Sequence, residues 1–108
     1  MTRISVARDF TRFPAGRYRS HGTTSGQAFR EDKLLGPLQR GEHVEVDLDG
    51  TLGYGSSFLE EAFGGLVRAL QIPSSELLTR LTIISTEDPT LRDEIMEYIA
   101  EASKRLGR

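Results

Sequence analysis

Hydrophobic positions change period along the chain, and each change marks an element. Ile4 and Val6, extended over Ala7 to Phe10, predict a first strand; Phe13-Pro14-Ala15-Gly16 supplies turn residues, and Arg17-Tyr18-Arg19-Ser20 a second short extended piece, together an opening hairpin. Thr24-Ser-Gly-Gln27 fits a capping box ahead of a helix carrying Phe29, Leu34, Leu35 and Leu38, which Gly36-Pro37 should end or kink. Val44, Val46 and Leu48 then alternate with Glu45, Asp47 and Asp49, the pattern of a strand with one apolar face.

The next stretch switches to helical spacing. Leu59, Ala62, Phe63, Leu66, Val67 and Leu70 recur at i, i+3, i+4, i+7, i+8 and i+11, and Ser57-x-x-Glu60 predicts the capping box that starts the helix. Gly64-Gly65 lies inside it at up to about 1 kcal/mol per glycine relative to alanine, so something should pack close there. Ile72-Pro73-Ser-Ser reads as a break, Leu81-Thr-Ile-Ile84 as a short apolar strand, and Asp88-Pro89 as the cap and first turn of a last helix. That helix places Leu91, Ile95, Tyr98, Ile99, Ala102 and Leu106 on one face. The expected order is β-β-α-β-α-β-α, an α/β fold with a small mixed sheet covered by helices.

Composition narrows the classes without choosing a function. A chain of 108 residues has room for one modest core, so residues 1–108 are expected to form a single domain. No apolar run approaches the roughly 20 residues of a membrane span, and Met1-Thr-Arg-Ile-Ser-Val-Ala-Arg, interrupted by charge, does not read as a secretory signal. Cysteine is absent and the two histidines have no matching ligand pair, which removes disulfides and thiol chemistry and leaves no expected metal or cofactor. A cytoplasmic setting follows as the expectation. The net charge of -2 hides a polarity, because residues 1–40 carry +5 and residues 41–108 carry -7. Such polarity can steer a charged partner, support a homodimer, or be solvated surface.

The stretch from His43 to Glu61 carries the candidate chemistry, and its two halves point to different functions. Asp47-Leu-Asp49-Gly-Thr-Leu resembles the opening motif of haloacid-dehalogenase-like phosphatases, in which two carboxylates leave a strand together and share Mg2+ with a phosphate. Ile83-Ile84-Ser85-Thr86 is similar to that family's second motif. A further acidic motif would have to come from Glu87, Asp88, Asp93 or Glu94, which belong to a helix start, and residues 50–108 are few for such a core. Under the competing account, Asp49-Gly50 is a turn and Asp47 a solvated strand residue.

The right half, with Asp47-Leu-Asp-Gly50 followed by Gly-Tyr54-Gly-Ser56-Ser57-Phe-Leu-Glu60-Glu61-Ala-Phe-Gly-Gly-Leu66, resembles STAS domains, the fold of bacterial anti-sigma-factor antagonists. It is closer to the divergent STAS-like family of small bacterial proteins with a Ser-Phe-x-x-Glu signature. The resemblance runs over residues 25–106 in element order. It implies a non-enzymatic protein-binding module in signalling, with Ser56 as phosphorylation candidate and an anti-sigma kinase of the histidine-kinase-like ATPase superfamily as partner. Where the antagonists carry an aspartate before the serine, this chain has Gly55. The implied contact surface is Gly53, Tyr54, Gly55, Ser56, Ser57, Phe58, Glu60 and Glu61.

For Ser57 the predicted cap is a sufficient structural account, whereas Ser56 reads equally as a switch or as a loop residue. A phosphate at a helix N-terminus is compatible with the fold, and beside Glu60 and Glu61 it would add charge to an already acidic surface. Arg17, Arg19 and His21, alternating on the second strand, read as a solvated edge, and with pI near 5.7 no nucleic-acid site is expected.

Overall fold

Residues 1–107 are described by a computed structural model. Alternation in the strands is realised as expected in β1 (Thr2–Ser5), β2 (Val44–Asp47) and β3 (Leu81–Ile84), where Ile4, Val44, Val46, Leu81 and Ile83 are buried. The strands form a three-stranded sheet in the order β1-β2-β3, parallel throughout, with Ile4, Val46 and Ile83 in register. The sheet is therefore parallel and not mixed. Its other face carries Arg3, Glu45 and Thr82 in register, and Arg3 lies 3.5 Å from Asp47. Crossovers of one hand between sequential parallel strands put every connecting helix on the same side, so one face stays polar.

The opening hairpin does not form. Ser5 ends β1 as a cap, accepting from Arg8 N at 3.2 Å while its own N–H donates to Asp9 at 2.7 Å, and the chain turns at once into the short helix α1 (Val6–Asp9). Residues 17–20, which lack apolar alternation, run into a 3-10 turn at Arg19–His21. Arg17, Arg19 and His21 therefore share no strand face; Arg19 pairs with Glu31 and Asp32.

Helix α2 (residues 26–39) is capped by the buried Ser25, whose Oγ accepts from Ala28 N at 3.1 Å, and not by Thr24; Gln27 instead accepts from Arg19 N at 3.0 Å. A π turn at Arg30–Leu34 widens the backbone just ahead of Pro37, where the ring would otherwise meet the preceding turn, and the helix continues to Gln39. A second long helix, α3 (residues 56–70), contains a similar π turn at Glu60–Gly64. The stretch read as a break holds the short helix α4 (Ser74–Leu77), and α5 (Thr90–Arg105) follows β3. Pro89, expected as the first helical residue, takes the cap position instead, and Asp88 just ahead of it accepts from Thr90 N at 3.1 Å.

The predicted apolar stripes fall where periodicity put them. Leu59, Ala62, Phe63, Leu66 and Val67 of α3 are buried with Ile95, Ile99 and Ala102 of α5 in one core that includes the strand residues and Phe29 of α2. Phe29 and Phe58 meet at 6.0 Å between ring centroids, and Phe29 and Phe63 at 6.3 Å. The glycine pair is explained by packing, since a Cβ at Gly65 would strike the Arg30 guanidinium and one at Gly64 would lie 2.6 Å from the Glu60 carboxylate. Gly26 is just as confined, against the Phe58 carbonyl. No helix among the described residues is long and apolar enough to cross a membrane.

Candidate functional site

All three parallel strands end on one edge of the sheet, where open α/β folds bind their ligands. At that edge Asp47 folds back to accept from Asp49 N at 2.9 Å. Asp49 reaches across to the chain leaving β3, where its carboxylate accepts from the N–H groups of Thr86 and Glu87, each at 3.0 Å, and from the Thr86 hydroxyl. These bonds, the Thr86 hydroxyl foremost and the Glu87 N–H next, hold its carboxyl below the ordinary value. Gly50 N completes the clamp by donating to Glu87 at 2.8 Å. Asp47 and Asp49 thus sit together as the phosphatase motif requires, but Asp49 is engaged in tying β2's exit to β3's, and Asp47 in bracing its own turn and pairing with Arg3. Among the described residues, no three His, Asp or Glu side chains are gathered as a metal ion would need.

Beyond the clamp the chain makes a bracketed loop. Gly50 and Gly53 adopt φ of +93° and +134°, where a side chain would be strained, and between them Leu52 stands 73% exposed while its N–H donates to the Arg12 carbonyl at 3.0 Å. Tyr54 turns inward. Its hydroxyl donates to the Leu48 carbonyl at 2.7 Å and its ring lies 5.9 Å from Phe58; burial pushes its pKa up to about 12.

Helix α3 begins two residues earlier than the sequence indicates. Gly55, in extended conformation, occupies the cap position without a side chain, which makes Ser56 the first helical residue and Ser57 an exposed second. The capping box between Ser57 and Glu60 is therefore absent, because arginines draw Glu60 away. Its carboxylate meets Arg17 at 2.5 Å and Arg68 at 2.8 Å, while Glu61 meets Arg30 at 2.7 Å. Burial by itself would raise the Glu60 pKa, but Arg68 and Arg17 together outweigh it and hold the carboxyl below its ordinary value. The surface beside Ser56 is accordingly not the acidic one expected from Glu60 and Glu61.

Of the eight residues expected to contact a partner, Gly53, Gly55, Ser56 and Ser57 are exposed. Phe58 and Glu61 are buried, Tyr54 and Glu60 half-buried, and all four serve the fold. On α5, the Tyr98 hydroxyl donates to Glu94 at 2.6 Å. Two groups escaped the sequence reading. The first is the cluster of Arg17, Arg30 and Arg68 around the two glutamates, for which Gly64-Gly65 was the available signal, since so close a packing needs a neighbour. The second is Phe13 with Leu52, large apolar residues outside any strand or helix period and both exposed.

A family model described as a STAS-like domain of unknown function matches residues 25–91. That span holds α2, β2, α3, α4 and β3 and reaches the start of α5. Neither a curated protein nor a solved structure matches the chain.

Proposed function

The chain belongs to the family of STAS-like domains of unknown function, and on that premise we propose that it is a non-enzymatic protein-binding module in bacterial signalling, of the anti-sigma-factor-antagonist kind and cytoplasmic. Ser56 is its phosphorylation site, and a histidine-kinase-like ATPase its modifying partner. One observation carries the reading: Ser56 is exposed on the first residue of a long helix whose cap position is already filled by Gly55. Its hydroxyl caps nothing, so it can be modified without loss of a helix end. Free N–H groups and the helix dipole favour a phosphate there, which brings about -1.5 to -2 charges at neutral pH.

The exposed residues Gly53, Gly55, Ser56 and Ser57 form the contact, and the phosphate weakens it. Ser56 lies one helical turn ahead of Glu60 on the same face, and Glu60 already holds Arg17 and Arg68, so a second anion both competes for those guanidinia and repels acidic groups on a partner. Asp47 and Asp49 each have a structural duty, which favours binding over phosphate-ester hydrolysis as the use of this edge.

Affinity capture from native lysate with wild type, Ser56→Ala and Ser56→Asp, followed by mass spectrometry, tests the proposal. Ser56→Ala should keep the partner and Ser56→Asp should lose most of it, with phosphoserine appearing at position 56 after incubation with ATP and the captured kinase. Equal yields from wild type and Ser56→Asp, together with no phosphoserine, would leave Ser56 as a loop residue.

A further inference from the structure

The Asp49–Glu87 clamp separates two clefts at the strand-end edge. The one toward α1 mixes the guanidinia of Arg8 and Arg12 with the carboxylates of Asp47, Asp49 and Glu87. The other, of about 270 Å3, opens between the loop that leaves β2 and the turn that joins β3 to α5. Asp49, Glu87 and Asp88 line it, and no Lys, Arg or His does among the described residues.

The negative sign is not cancelled nearby. Asp49 accepts from Thr86 and Glu87, Glu87 from Gly50, and Asp88 from Thr90; all are neutral donors, so each carboxylate keeps its charge. Even with Arg8, Arg12 and Asp47 of the adjoining cleft included, carboxylates outnumber guanidinia four to two. Tyr54 registers the same field, since burial first, and then the charges of Asp47, Asp49 and Glu87, raise its pKa to about 12.

The rest of the lining is largely apolar, with Leu48, Leu52, Tyr54 and Leu91. Leu52 is 73% exposed yet fixed in place, its N–H held by the Arg12 carbonyl at 3.0 Å. Apolar surface beside carboxylates of one sign is complementary to a long cationic side chain, whose methylenes cover the former while its head pairs with the latter. A bare metal ion would leave the leucines uncovered, and a purely apolar ligand would bury charges without partners. Glu87 Oε2 and Asp88 Oδ2 accept from no group among the described residues, which leaves each carboxylate an acceptor for such a head.

We propose that this cleft docks a basic segment of a partner protein: one arginine or lysine lies along Leu48, Leu52 and Leu91 and pairs with Glu87 and Asp88, and a neighbouring apolar residue of the segment covers Leu52. The proposal rests on the protein-binding reading above and supplies the partner's chemistry. Ser56 does not line the cleft, so the two ideas fail separately.

Selection of a random peptide library displayed on phage against the immobilised protein tests the cleft without a known partner. Enriched peptides should carry Arg or Lys next to Leu, Phe or Met. A fluorescent synthetic copy should lose at least about tenfold in affinity on Glu87→Gln/Asp88→Asn and likewise on Leu52→Ser, and should weaken with added salt, while Arg8→Ala/Arg12→Ala leaves it unchanged or tighter. Gln and Asn can still accept from Gly50 and Thr90, and Leu52 is exposed, so the variants should melt as wild type does; Glu87→Gln alone serves if the double variant does not fold. No enrichment, enrichment of acidic peptides, or an affinity unchanged in either variant would overturn the proposal. So would displacement of the peptide by Mg2+ or Ca2+ at constant ionic strength, or a dimer in sedimentation that Leu52→Ser abolishes. In lysate capture, a partner lost from Glu87→Gln/Asp88→Asn but kept by Ser56→Asp would remove the switch and leave the cleft standing, whereas one lost from Ser56→Asp and kept by Glu87→Gln/Asp88→Asn would do the reverse.

Discussion

Asp49 shows how a motif residue can be fully employed by the fold. Its carboxylate accepts from two backbone N–H groups on the far side of the β2–β3 edge, and neither donor belongs to a helix or strand ladder. Asp49→Ala should therefore destabilise by about 0.5–1.5 kcal/mol, the net worth of a hydrogen bond whose donors water can reach, measured as a lower urea midpoint with an unchanged slope. A midpoint equal to wild type would mean that water replaces the carboxylate without loss. Arg30 is employed in the same way: it is buried, its Nη1 donates to Glu61 at both the backbone carbonyl and the carboxylate, and its Nε has no partner. A buried ion pair of this kind is weak evidence for added stability, but it fixes how α2 sits on α3.

At the scale of elements, the two long helices meet through their widened turns, and their ends differ. Ser25 is a buried cap on α2, whereas Ser57 is exposed inside the first turn of α3 with no cap to make. Ser25→Ala should cost about 0.5–2 kcal/mol and Ser57→Ala no more than about 0.5 kcal/mol, a ranking read from paired thermal melts. Equal losses would return the cap to Ser57. Gly26→Ala should exceed both, because its added methyl meets the Phe58 carbonyl and not a movable side-chain end, which forces α2 away from α3.

Across the whole molecule the charge polarity is largely consumed internally. Arg3, Arg17 and Arg30 of the basic N-terminal part pair with Glu45, Asp47, Glu60 and Glu61 of the acidic remainder, so the separation seen along the chain closes on folding. Stability should respond to pH accordingly. Glu60 and Asp49 have pKa values lowered from 4.5 and 3.8, so their contribution is complete above those values and is lost as pH falls through the lower folded values. Tyr54 acts in the opposite direction: raised from 10.0 to about 12, it contributes fully below pH 10 and loses that contribution as pH rises through 12. Unfolding free energy from urea titrations should stay level near neutrality and fall below about pH 4.5 and above about pH 10. A level profile down to pH 3 would show that the arginine–glutamate cluster does not report on folding.

The sequence by itself determined the strands Val44–Asp47 and Leu81–Ile84, the buried stripes of α3 and α5, and the close packing at Gly64-Gly65, because periods of two and 3.6 are local properties of a chain that must hide one face. It also determined the family, since the Asp47-to-Leu66 run is contiguous. Tertiary structure decided what depends on partners distant in sequence. Whether residues 6–10 extend or coil turned on Asp9 answering Ser5, and whether Glu60 capped α3 turned on Arg17 and Arg68. Phe58 and Glu61 moved from the surface to the interior once α2 was laid against α3. The exposure of Phe13 and Leu52 was decided last of all, by loops that meet only after the strands have paired.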